Sequence, residues 1–218
     1  MELSSWKMTL CIMLCLLPGA AHAQTRVVDG DTLEIDGTVY RLNGIDAPEA
    51  GQQCKKPSGA SWHCGQASID AMAALSAGKT VRCEGTTSDG YGRTIGTCFV
   101  DGVDLGAAMV RTGNAWAFVK YSQVYVKQER QAREERLGVW QGPAVAPWDY
   151  RARLWESATE EAPKGCPIKG NISRNGRIYH PPWSPWYKRT KINTAKGERW
   201  FCSEAEAIEA GWRAPRWR

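Results

Sequence analysis

Apolar and polar positions alternate over two short stretches early in the chain, where Leu33, Ile35, Val39 and Leu42 flank Asp36-Gly37. Alternation around an Asp-Gly pair predicts a β-hairpin with a type I′ turn, because both central residues of that turn need positive φ. Residues 65–77 carry Ile69, Met72, Ala73 and Leu75 on or near one helical face and end at Gly78, the pattern of a glycine-stopped helix. The stretch 80–102 reads as two strands around a glycine-rich turn centred on Gly90-Tyr91. Residues 104–112 predict a second helix ended by Gly113. A third is expected within 122–140, with Ser122 as N-cap and Gly138 just past its end. That helix is longer and more polar, so only one of its faces should pack. Short strands, turn glycines and about three helices predict an α+β fold with a mainly β core, closed into a small barrel. Pro143, Pro147 and the polar run 157–165 mark the exit from this unit, so a domain over 24–156 and a small module over 166–218 are expected.

The N-terminus is predicted to lie outside the fold. Residues 8–18 are apolar but too few to span a bilayer, and Ala21-His22-Ala23 follows, a secretory signal pattern with cleavage after Ala23. Neither Cys11 nor Cys15 follows a small residue, so no lipoprotein anchor is expected. An exported chain beginning at Gln24 keeps six cysteines, at 54, 64, 83, 98, 166 and 202, and an even number in an oxidising compartment reads as disulfides. Proximity favours 54–64, 83–98 and 166–202 among the pairings that six cysteines allow. Zinc held by Cys166, His180 and Cys202 is the rival for the last pair, but the spacing is unlike Cys-x₂-Cys sites. Neither His63 nor His180 belongs to a recognisable triad.

Charge divides the chain as well. Residues 24–165 hold 16 Lys and Arg against 18 Asp and Glu, whereas residues 166–218 hold 11 against 4 and five of the eleven tryptophans. A cationic, aromatic-rich tail suits a surface that grips phosphates and stacks on bases, and equally suits the minimal core of a disulfide-clamped module.

The candidate chemistry sits on the first hairpin, between Asp29-Gly-Asp31 and Asp46-Ala-Pro-Glu49, with Arg41 between them. Clustered carboxylates repel unless a cation joins them, and oxygen ligands favour a hard ion such as Ca²⁺. On this stretch alone, a solvated hairpin with acidic ends is an equal reading. The sequences VVDGDT, YRLNGIDAPE, DGYGR and the closing Leu-Gly-Val-Trp140 nevertheless occur in an order and at a spacing that resemble the thermonuclease (staphylococcal nuclease-like) family. The resemblance covers roughly residues 25–140 and implies a five-stranded OB-type barrel with helices that hydrolyses DNA and RNA with Ca²⁺. The tail is similar to a small module at the C-terminus of other bacterial exported nucleases.

Position by position, the resemblance implies Asp31, Asp46 and the Ala47 backbone carbonyl as Ca²⁺ ligands. It implies Glu49 as partner of the attacking water, Arg41 and Arg93 as phosphate-binding arginines, and Tyr91 and Tyr121 as substrate contacts. The chemistry agrees. Attack on a phosphodiester builds negative charge that one divalent ion and two guanidinium forks neutralise, and a nearby carboxylate accepts the water's proton. Each residue also has a plainer reading: Arg41 on a strand surface, Glu49 as a solvated loop carboxylate, Arg93 paired with Asp89 in a turn. Asp29 is expected in a turn or supporting role.

One point of geometry resists. A regular ladder about Asp36-Gly37 sets Asp31 opposite Leu42 and puts Arg41 on the other face, so a shared site requires a bend at Gly30 or Gly44. The expectation is an exported, monomeric, Ca²⁺-dependent nuclease of low sequence preference whose substrates are DNA and RNA. A catalytically inactive OB-fold nucleic-acid-binding protein is the alternative, and a polysaccharide-binding role for the tail is also open.

Overall fold

The computed structural model describes residues 24–215, so the expected signal sequence lies outside the described residues. Strands β1 (Thr25–Asp29), β2 (Thr32–Ile35) and β3 (Thr38–Leu42) form an antiparallel meander. In the β2–β3 turn Asp36 (φ 47°) and Gly37 (φ 84°) both take positive φ, and the register pairs Thr32 with Arg41 and Ile35 with Thr38, as the Asp-Gly pattern predicts. A tight turn then leads to β4 (Ile45–Asp46), and β5 (Cys54–Lys55) and β6 (Ser61–Trp62) form a small ribbon before helix α1 (Cys64–Ser76).

Next come β7 (Val81–Ser88), β8 (Thr94–Val100) and β9 (Val103–Asp104), helix α2 (Leu105–Arg111), β10 (Trp116–Ala117) and helix α3 (Val126–Glu134). The main sheet runs β1-β2-β3-β8-β7, with β9 on β8 and with β3 and β8 parallel. Its two outer strands do not pair with each other among the described residues, so the OB-type sheet is open rather than the closed barrel expected. Strand β4 pairs instead with β10 in a separate ribbon, which draws the chain after β3 away from the sheet. Leu33, Leu42, Ile45, Met72, Val100, Leu105 and Met109 fill the core between sheet and helices.

Helix α3 begins three residues later than expected. Tyr125 is buried, donates its hydroxyl to Asp104 and is itself the N-cap position, so Ser122 lies in the preceding turn. The helix also ends early, because Arg136 already takes positive φ (54°) two residues before Gly138.

Residues 157–161, the first part of the polar run at the exit from the first unit, are helical. They complete α4 (Pro147–Glu161), as the helix-favouring sequence SATEE allows. The C-terminal module is a three-stranded sheet, β12 (Gly176–His180)-β11 (Ile168–Ser173)-β13 (Arg199–Phe201), with α5 (Glu204–Glu209) and a core of Ile168, Tyr179, Phe201, Ala207 and Trp212. The bridges Cys54–Cys64, Cys83–Cys98 and Cys166–Cys202 all form. The last of these excludes the zinc reading, and His180 is instead hydrogen-bonded by Ser184 and Asn171. Among the described residues, no helix is long and apolar enough to cross a membrane.

Candidate active site

Asp31 escapes the strand alternation because it occupies the two-residue turn Gly30-Asp31 between β1 and β2, just after a bulge between Val27 and Asp29. Its carbonyl still accepts from Leu42 N at 2.9 Å, which continues the ladder, while the turn frees its side chain. Gly30 makes the arrangement possible: a Cβ there would lie 2.8 Å from Ala47 Cβ, so only glycine lets the 46–47 segment close over the turn. Asp31 Oδ2 then accepts from Ala47 N at 2.8 Å and Oδ1 accepts from Thr32 Oγ1 at 3.0 Å. Arg41, paired across the ladder with Thr32, reaches Asp31 with Nη1 and donates from Nη2 to Asp46 Oδ1 at 2.8 Å.

Asp31 and Asp46 are buried to 3% and 0% exposure. Carboxylates this deep must be paired, and here the pairing falls to guanidinium groups. The second of these is Arg151, on α4. Its Nη2 donates to Asp46 Oδ2 at 2.7 Å, and its Nη1 donates to Asp46 Oδ1 at 3.1 Å and to Glu49 Oε1 at 2.7 Å. Glu49 is fixed through its backbone as well. Its N–H donates to Gln52 Oε1 at 3.2 Å, and the buried Gln52 donates onward to the Val145 carbonyl at 2.7 Å. Burial raises the Glu49 carboxyl above the usual carboxylate range, against the opposing charge of Arg151. Asp29 is pushed up to about 7 by burial first and by Glu49 second, and it receives the Gly30 N–H, in keeping with a turn role.

Arg93 stands beside this cluster rather than in it. The parallel pairing of β3 with β8 sets Tyr40 against Thr94, which brings Arg93 to the rim that carries Arg41. Its Nε donates to Asp89 Oδ2 at 2.7 Å, and its guanidinium carbon lies 5.2 Å from the centre of the Tyr91 ring. The turn pairing foreseen for Arg93 is thus present, and the structure does not join it to Asp31, Asp46 or Glu49. Tyr91 and Tyr121 are exposed at 45% and 68%. The charge of Glu204, on α5 of the C-terminal module, acts on Tyr91, on Tyr179 and on Arg93. The module therefore borders the site, a neighbour invisible in the sequence.

The donors are of the kind a hard divalent cation takes, since all are oxygens. Their arrangement is another matter. Both oxygens of Asp46 and Oδ1 of Asp31 are held by guanidinium groups, and Asp31 Oδ2 by the Ala47 N–H. Among the described residues, no three His, Cys, Asp or Glu side chains converge as a metal-binding group. The donor chemistry fits a cation, and two arginines hold the places it would take.

Residues 39–142 match the family described as "Staphylococcal nuclease homologue". A protein named "Uncharacterized endonuclease" from Escherichia coli O157:H7 is 37% identical over 136 residues, 59% of this chain and 82% of its own. The chain belongs to the staphylococcal nuclease homologues. "Succinoglycan biosynthesis protein ExoI" of Rhizobium meliloti (strain 1021) is 40% identical over 128 residues, 56% of this chain and 67% of its own. "Micrococcal nuclease" of Shigella flexneri is 32% identical over 153 residues, 62% of this chain and 81% of its own. Residues 154–214 match a second family, described as "ArfC". Membership of the staphylococcal nuclease homologues makes this chain a hydrolase of the endonuclease kind. Asp31 lies outside the matched segment, whereas Arg41, Asp46, Glu49 and Arg93 lie within it.

Proposed function

We propose that this protein is an exported, monomeric, Ca²⁺-dependent nuclease that hydrolyses phosphodiester bonds of DNA and RNA with little sequence preference. The observation that carries the reading is the ion network in which Arg41 and Arg151 join the buried Asp31 and Asp46 to Glu49. Asp31, Asp46 and the Ala47 carbonyl would hold the ion, which when bound supplies positive charge against the phosphoryl oxygens. Glu49, anchored by Gln52 and made more basic by burial, orients the attacking water and accepts its proton. Arg41 and Arg93 offer bidentate donors to the charge that develops on the phosphate. Tyr91 and Tyr121, both exposed at this edge, supply faces on which bases stack. Such contacts read backbone and ring faces rather than base edges, which is why low sequence preference is expected.

The test is digestion of DNA and of RNA by the purified protein starting at Gln24, first with Ca²⁺ and then with EGTA. Hydrolysis of both, abolished by EGTA, is expected. If neither substrate is cut in a Ca²⁺-dependent way, the reading fails.

A further inference from the structure

Arg151 lies outside both family matches, 39–142 and 154–214, yet makes three hydrogen bonds inside the acidic cluster. Its fork spans both oxygens of Asp46 and ties them to Glu49, a bidentate grip that only arginine provides. Asp46 is fully buried, and the Arg151 side chain is 23% exposed, so water screens these charges weakly. A divalent ion needs the same carboxylate oxygens at about 2.3–2.6 Å. A second cation that close is repelled by the guanidinium and is denied the lone pairs that the fork's N–H groups occupy.

We propose that Arg151 is a built-in competitor for the divalent cation, and that loading the acidic cluster with metal requires its fork to leave Asp46 and Glu49. The proposal rests on reading the cluster as the metal site of a nuclease. In that site Arg151 sets the metal concentration at which the carboxylates fill. Trp148, Arg151 and Trp155 follow one another at i, i+3 and i+7, hence on one face of α4. Trp148 stacks on Phe118 at 5.2 Å and packs with Trp116 and Trp140, while Trp155 packs into the module core and lies 6.1 Å from Trp183. Arg151 is thus held between two aromatic anchors, one in each unit.

The experiment is a calorimetric titration of Ca²⁺ into the full-length protein and into Arg151→Gln, without nucleic acid. Arg151→Gln is expected to bind Ca²⁺ about tenfold more tightly or better. Equal or weaker binding overturns the proposal, as does absence of Ca²⁺ binding by both proteins. Should Arg151→Gln fail to fold by circular dichroism, Arg151→Lys carries the test, since it keeps the charge and loses the fork. It too must bind more tightly than the parent. Because no substrate is present, a failure here leaves the digestion experiment to be read on its own, and the reverse also holds.

Discussion

Within the acidic cluster the residues differ in what they risk on mutation. Arg41 pairs with two carboxylates exposed by 4% and 0%, and although Asp46 keeps Arg151, Arg41→Ala leaves the buried Asp31 without its guanidinium. A loss of about 3–5 kcal/mol in urea unfolding is expected. Arg93, a third exposed and paired with a surface turn, should lose no more than about 1 kcal/mol on the same change, while activity falls about 100-fold or more. Equal destabilisation by the two would contradict the buried ion network. Glu49→Gln keeps the shape of the side chain and removes the base. It is expected to lower turnover by about 10²–10⁴-fold with an unaltered circular dichroism spectrum, and near-normal turnover would remove Glu49 from the mechanism. In the sequence Asp31, Arg41, Asp46 and Glu49 are seen to lie near one another because they sit within one hairpin and its exit, while the roles expected of them come from the family resemblance. Arg151 was not reachable. It is 105 positions from Asp46 in a helix without a motif, and only tertiary packing brings the two together. Gln52 was equally silent, since a buried amide that anchors a neighbour's backbone leaves no periodic trace.

Secondary-structure elements followed the local chemistry where that chemistry was strong, and departed from it where packing intervened. The Asp36-Gly37 turn held its register because two positive-φ residues admit few alternatives. Helix α3 did not begin at Ser122, because burying Tyr125 against Asp104 outweighed a favourable cap worth about 1 kcal/mol. The sheet is open because its outer strands β1 and β7 do not pair among the described residues, and β4 joins β10, a partner 70 positions away that no pattern of alternation encodes. The ribbon β5–β6 carries an element-level prediction. Its Cys54–Cys64 bridge closes onto the segment holding Gln52 and Glu49, and it packs with Trp116 and Val139. Replacing both cysteines by serine should cost about 2–3 kcal/mol in thermal unfolding and also lower activity, because the loop that fixes Glu49 gains freedom. Unchanged activity would mean that Gln52 alone suffices.

For the molecule as a whole, two units share one helix, and they should respond differently to acid. His180 is buried in the module between Ser184 and Asn171, and burial, followed by Arg189 and Lys169, lowers its pKa to about 4. A histidine held neutral in the fold titrates near 6.5 once unfolded, so the unfolded chain binds more protons between those values. Its contribution is therefore complete above about pH 6.5 and is lost as pH falls toward 4. Differential scanning calorimetry of wild type and His180→Gln should show a smaller acid-induced drop in Tm for the variant; parallel pH curves would refute this. The bipartite charge and the tryptophan-rich tail announced a second unit, but its position beside Arg93 was not legible, because contacts between units leave no periodicity. The disulfide topology carries a further consequence. Among the described residues each cysteine is bonded to its nearest unpaired neighbour along the chain, in the order 54–64, 83–98, 166–202. A polypeptide threading out of a ribosome or a channel with its N-terminus first thus presents each of these thiols' partners before the next pair appears. Sequential emergence therefore favours these three local bridges over crossed ones among the described cysteines.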